Sequence, residues 1–275
     1  MSNYPFNRIL LATEHTEFDA GAERLAFAMA KRCGVPLLVV VPMLDNPEYE
    51  AEMPDMVLRD ELQVADKIAD LRKLAMASEV QLDVRVRRSS QIHSGIIAEA
   101  AESKADLIVI RRRGRPSFLA RMLVGEMVSK VIRDTACSVL LVPRAAEFWN
   151  KRIIAAVGDT PAATSIAKTA GTIAGICDLP LSILSVAANS ESESLSKIQS
   201  LNTLAVKLAS GESAKVAGDV RVGDTIEQTI AAVKESGADL VVIGRQRYHL
   251  WAFGNLGIMQ NIAGNMDVPT LVIPA

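Results

Sequence analysis

"RILLATEHTEFDAGAERLAFAMAKRCGVPLLVVV", residues 8–41, and "RIIAAVGDTPAATSIAKTAGTIAGICDLPLSILSV", residues 152–186, are two versions of one pattern. Each begins with a short β-rich run, passes through a polar turn, and continues with apolar residues at helical spacing. Each then breaks at Cys-Gly or Cys-Asp and ends in a second apolar run. Strand, helix, strand in that order is the crossover unit of a parallel sheet. The rest of the chain repeats too. "ADLIVIRRRGR" at Ala105 matches "ADLVVIGRQRY" at Ala238, and "CSVLLVPRA" at Cys137 matches "VPTLVIPA" at Val268. The chain therefore reads as two domains, residues 1–148 and 149–275, joined near "RAAEFWNK".

In the first copy the pattern predicts strands near 8–13, 36–41, 80–87, 106–110 and 138–143, with helices near 18–33, 54–79, 92–104 and 119–133. In the second it predicts strands near 152–157, 181–186, 214–221, 239–243 and 269–273. Four strands of each copy are continuous apolar runs, as expected where helices cover both faces of a sheet. The third differs: "QLDVRVRR", residues 81–88, alternates apolar and charged residues and belongs at an edge with one wet face. In such sheets ligands bind beyond the carboxyl ends of the strands, where the strand order reverses. That directs attention to the loops after the first and fourth strands.

The 275 residues are 49% hydrophobic with a net charge of −2, which argues against a general nucleic-acid or membrane-surface binder. The longest apolar run, Val35 to Leu44, is far shorter than the roughly 18 residues of a membrane span. No basic-then-apolar leader opens the sequence, and Cys33, Cys137 and Cys177 have neither metal nor redox spacing. A cytoplasmic protein with reduced thiols is the expectation.

With "ILLATEHTE" and "IIAAVGDT" at the openings, "GDTIEQTIAAVKESGADLVVIG" leading into a fourth strand, and "CSVLLVP" at the end of a copy, the sequence resembles the universal stress protein family in its tandem form. The resemblance covers nearly the whole chain, twice. It implies an α/β fold: two repeats of a five-stranded parallel sheet, order 3-2-1-4-5, sandwiched by helices. This is the Rossmann-like arrangement of the adenine nucleotide alpha-hydrolase-like proteins. Members that bind ATP carry a glycine, two residues, a second glycine, nine residues, then glycine and a hydroxyl residue. The glycines let backbone N–H groups reach the phosphates, and a helix start favours anions.

Both copies depart from that motif. In the first, Arg111 stands at the first glycine position and Gly114 at the second; ten residues separate Gly114 from Gly125, and Glu126, which repels phosphate, follows. In the second, Gly244 matches, Arg247 replaces the second glycine, and nine residues lead to Gly257, followed by Ile258. The resemblance also implies an aspartate after the first strand and a valine after the second. Glu14 and Pro42 stand there in copy one, Gly158 (with Asp159 next to it) and Val186 in copy two. Proline offers no N–H. Arg111, Gly114, Gly125 and Glu14 thus mark a degenerate anion pocket, crossed by Arg111 and Glu126, with Arg111 pairing with Glu14. A nucleotide, ATP or AMP, would belong in copy two against Gly244, Arg247, Gly257, Asp159 and the Val186 backbone.

The run Arg111, Arg112, Arg113, Arg115 has three readings: a solvated loop with local ion pairs, an anion site of guanidinium forks, or a nucleic-acid contact. The last lacks the aromatic residues that stack on bases. His15, His93 and His249 are the only histidines; His15 and His93 fall at the functional end of the sheet, but no nucleophile with a base accompanies them. Tyr248, Trp251 and Phe253 concentrate aromatic residues in a chain with only 4% of them, either as pocket cover or as a contact surface. Residues 46–63 form an acidic, proline-marked excursion, either plain surface or a lid. The expectation is a non-catalytic stress-adaptation protein that binds or scaffolds, without metal, assembling as a homodimer. ATP or AMP binding in copy two and nucleotide hydrolysis are the rival readings. The apolar fifth strands should pair with each other, since tethering holds the partner at roughly millimolar effective concentration.

Overall fold

The structure, a computed structural model, describes residues 4–14, 16–112, 120–213, 215–245 and 266–274. Its contacts separate two compact units: Phe6–Cys137 with Val142–Glu147, and Met1–Pro5 with Ser138–Leu141 and Phe148–Ala275.

The first unit runs β1 (Ile9–Ala12), a 3-10 turn (Glu17–Asp19), α1 (Ala20–Cys33), β2 (Leu37–Leu44), α2 (Pro47–Glu52), α3 (Pro54–Ser78), β3 (Leu82–Ser89), α4 (Ile92–Glu102), β4 (Leu107–Arg111) and α5 (Ala120–Asp134). Its strands lie in the order β3-β2-β1-β4, all parallel, with Ile9 level with both Leu37 and Leu107. After β4 the Arg112 N–H donates to the Val142 carbonyl at 2.7 Å.

The second unit takes Ser138–Leu141 from β5 (Ser138–Val142), then β6 (Ile153–Ala156), α6 (Ala163–Cys177), β7 (Leu181–Ala187), α7 (Ser192–Ser210), β8 (Val216–Val222), α8 (Thr225–Ser236), β9 (Leu240–Gly244) and β10 (Thr270–Ile273). The order β10-β9-β6-β7-β8 is parallel throughout and is the expected 3-2-1-4-5 of a single copy. On its other side β10 pairs antiparallel with β5, Thr270 opposite Leu141 and Val272 opposite Val139.

Hydrophobic burial explains the strands. β1 and β4 are buried along their whole length, as helix-covered parallel strands must be, and so is β5, whereas β3 and β8 are partly exposed edges. Each first helix ends where the sequence breaks. Gly34 closes α1 at φ 64°, a left-handed cap that glycine adopts without penalty. Asp178 closes α6 in the same region at φ 53°. A second device recurs in both copies. The Asp106 carboxylate accepts the N–H groups of Asn7 and Arg8 at 2.7 and 3.0 Å, and Asp239 accepts those of Asn150, Lys151 and Arg152 at 2.7, 3.0 and 3.1 Å. The "AD" before each fourth strand therefore ties down the chain entering each first strand.

The excursion at 46–63 is helical, forming α2 and the first turns of α3. Met53, Met56, Leu58 and Leu62 on it are exposed. Among the described residues no helix is long and apolar enough to cross a membrane.

Candidate functional site

The first and fourth strands of each copy lie side by side and end together at the carboxyl end of the sheet. In copy one the cavity that the described residues line there is about 10 Å³, roughly the room needed for one water. Arg111, last residue of β4, fills it. Its guanidinium contacts the Glu14 carboxylate, donates to Thr16 Oγ1 at 2.7 Å, and lays Nε 3.3 Å from Asp19 Oδ1. That last approach lacks hydrogen-bond geometry, so it is an ion pair only. Asp19 Oδ2 in turn accepts the Glu14 N–H at 3.2 Å and the Thr16 hydroxyl at 2.9 Å. Next to this cluster Glu23 takes a hydrogen bond from Thr13 at 2.7 Å and the Lys67 ammonium at 2.5 Å. The Arg111 side chain is 6% exposed and that of Asp19 1%. Burial pushes the Asp19 carboxyl up to about 6; Arg111 and the Thr16 hydroxyl pull it down, and Glu14 and Glu23 add to the rise.

The expected partners Arg111 and Glu14 are thus together, with Pro42 lining the same space. Gly125 lies within α5 rather than at its opening. Gly114, His15 and the Glu126 side chain lie outside the described residues. Asp19 escaped the sequence reading, because a carboxylate beside a helix start reads as a cap; its side chain makes no cap bond to α1.

Copy two keeps an open cleft of about 270 Å³ at the equivalent place, with Gly158, Asp159, Val186 and Gly244 all in its wall. Arg247, Gly257 and the aromatic cluster at Tyr248, Trp251 and Phe253, with His249, lie outside the described residues. Gly244 ends β9 as Arg111 ends β4, and a Cβ there would come within 2.9 Å of Ile166 Cδ1 and 3.2 Å of Ala162 Cβ. The strand end therefore packs directly on α6, and no side chain enters the cleft from it. At Gly158 a Cβ would find nothing nearer than Thr160 Cγ2 at 4.0 Å, so that position has room for a side chain.

The rest of the wall is apolar, from Val157, Ile166, Leu184, Ile198 and Ile243, with the hydroxyl residues Thr160, Thr225 and Thr229. Ser185 and Asn202 stiffen it from behind. Ser185 donates to the Val157 carbonyl at 2.8 Å; Asn202 Nδ2 donates to the Ile183 carbonyl at 2.8 Å and to Ser185 Oγ at 3.1 Å. At the mouth, Lys197 of α7 pairs with Asp159 at 2.6 Å, and this hydrogen bond raises the lysine above its ordinary value. Thr160 Oγ1 is buried without a hydrogen-bond partner among the described residues. The N-terminus of α8 is already capped, by Asp224 accepting the Ile226 and Glu227 N–H groups at 2.9 and 3.0 Å. Lys197, Thr160 and Asn202 had no signal in the sequence, since none sits in the phosphate motif.

Among the described residues no group of three or more His, Cys, Asp or Glu could hold a metal ion. His93 lies half-buried in the first turn of α4.

The model described as the universal stress protein family matches residues 5–143 and again residues 150–274. A universal stress protein of Methanocaldococcus jannaschii is 28% identical over 147 residues, half of this chain and 83% of that one. A putative universal stress protein from Pseudomonas aeruginosa superposes with TM-score 0.70 at 18% identity, covering 98% of this chain and 94% of that one. One from Archaeoglobus fulgidus superposes with TM-score 0.70 at 17% identity, covering 99% and 97%. At such identities the two structures speak for the fold.

Proposed function

The chain belongs to the universal stress protein family, with two family domains in tandem, and on that premise we propose that it acts in stress adaptation by binding rather than by catalysis, through one usable cleft. The ligand is an adenine nucleotide, ATP or AMP, held in copy two; copy one is a closed relative of the same site and serves as scaffold. The observation that carries this reading is the contrast at the end of the fourth strand. Arg111 with its carboxylates leaves about 10 Å³ in copy one, whereas Gly244 leaves about 270 Å³ in copy two. Val186 and Gly244, at positions to which the family motif gives the base and first phosphate contacts, line that cleft, with Asp159 one residue past the motif's aspartate position. Assembly of whole chains into homodimers in the cytoplasm completes the proposal.

Native mass spectrometry of the freshly purified full chain should find adenine nucleotide at no more than one per chain. Crosslinking with azido-ATP should label residues 149–275. Labelling confined to residues 1–148 overturns the assignment, and ATP turnover lost in His93→Ala overturns the absence of catalysis.

A further inference from the structure

The mouth of the copy-two cleft carries an ion pair that a nucleotide motif does not account for. Lys197 lies in the second turn of α7, and the next residue, Ile198, is part of the cleft wall. Across the mouth, in the loop after β6, Asp159 is the one carboxylate lining the cleft among the described residues. Its Oδ2 lies 2.6 Å from Lys197 Nζ, and both side chains are largely exposed, at 64% and 68%. The following residue, Thr160, has a buried hydroxyl with no hydrogen-bond partner among the described residues.

We propose that Lys197 determines what this cleft admits: its pair with Asp159 is a latch between α7 and the loop 158–160, opened by a ligand whose neighbouring hydroxyls take over the Asp159 carboxylate, as the cis-diol of a nucleoside does. The inference rests on the nucleotide reading above and sharpens it, making the nucleoside the recognised part. An Asp159 oxygen held by an ammonium is not free to accept from two hydroxyls, so the lysine competes with such a ligand. The latch is releasable, because an exposed ion pair in water is weak and screened by salt. In the latched state the Thr160 hydroxyl has no hydrogen-bond partner among the described residues, which leaves the loop 158–160 less firmly held. The phosphate end offers less. Arg247 and Ile258 stand where the motif has glycine and a hydroxyl.

Titration calorimetry of the full chain with adenosine at low salt tests this. Lys197→Ala should bind adenosine about two- to fivefold tighter than wild type, the range that an exposed ion pair spans. Lys197→Arg should restore the wild-type value, and wild type at high salt should approach Lys197→Ala. Asp159→Asn should bind more weakly, and adding Lys197→Ala to it should change nothing further. The gain should shrink for 2′-deoxyadenosine, which lacks the diol. All variants should melt like wild type, since both side chains are exposed. If wild type binds adenosine and Lys197→Ala binds it no more tightly, the latch is wrong and the nucleotide reading stands. A gain that persists in the Asp159→Asn background also overturns the latch. If neither wild type nor Lys197→Ala binds adenosine, AMP or ATP, the nucleotide reading falls and the latch with it.

Discussion

Arg111 is buried against Glu14 and Asp19, so removing it strips the Asp19 carboxylate, 1% exposed, of the counter-charge beside it. Breaking a buried ion pair from one side typically costs ~3–5 kcal/mol, and Arg111→Ala should destabilise the first unit by an amount of that order in denaturant unfolding. Adding Asp19→Asn should recover part of the loss, because the stranded charge goes with it. Asp19 makes a separate, pH-dependent contribution. Its carboxyl titrates at about 6 when folded against an ordinary 3.8, so the folded state holds the proton more tightly. The stabilisation is complete below pH ~4 and is lost as pH rises through about 6. Melting measured at pH 7 and at pH 5 should therefore show wild type gaining relative to Asp19→Asn on acidification; parallel curves would mean that Asp19 does not titrate there. The Arg111–Glu14 pair was legible in the sequence because both residues occupy motif positions. Asp19 and Lys197 were not, because they meet their partners only after the chain folds.

At the scale of the element, Asp106 and Asp239 show how a short motif positions a strand. Three backbone N–H groups converge on Asp239 and two on Asp106, each donating to a carboxylate rather than to water. Charge-assisted bonds of this kind contribute roughly 1.5–3 kcal/mol, so Asp239→Ala should destabilise the second unit by at least about 2 kcal/mol, and Asp106→Ala the first by somewhat less. Hydrogen exchange should quicken first at residues 150–152 in the former. Unchanged exchange there would remove the carboxylate from its role. The strands were legible to within about three residues at their ends, since continuous apolar runs admit few alternatives once turns bound them. β3 was legible as an edge because its arginines alternate with apolar residues; Arg85 and Arg87 reach Glu99 of α4 at 2.8 Å. The helical form of 47–52 was not legible: prolines at 47 and 54 read as loop punctuation, although proline is also tolerated in a first helical turn.

For the whole molecule, the sequence repeat and the compact units do not coincide. Ser138–Leu141 belongs to the first copy by sequence and to the second unit by contact, because it pairs with β10. β10 is therefore not an edge: Thr270 to Ile273 are buried, with β9 on one side and β5 on the other. Residues 149–275 expressed alone would lack β5 and present the outer row of β10 N–H and C=O groups on an apolar strand, the arrangement that recruits another chain. That fragment should self-associate in sedimentation velocity and unfold at lower denaturant than the same region in the full chain. Residues 136–275 retain β5 and its natural connection through Pro143 and Trp149, so the strand can return to β10 without a second molecule. This longer fragment should stay monomeric and regain most of the stability, and Leu141→Glu within it should return it to the behaviour of the short one, since Leu141 is buried opposite Thr270. If the short fragment were monomeric and as stable as the long one, β5 would be dispensable to the second unit, and the pairing would reflect tether length rather than strand chemistry.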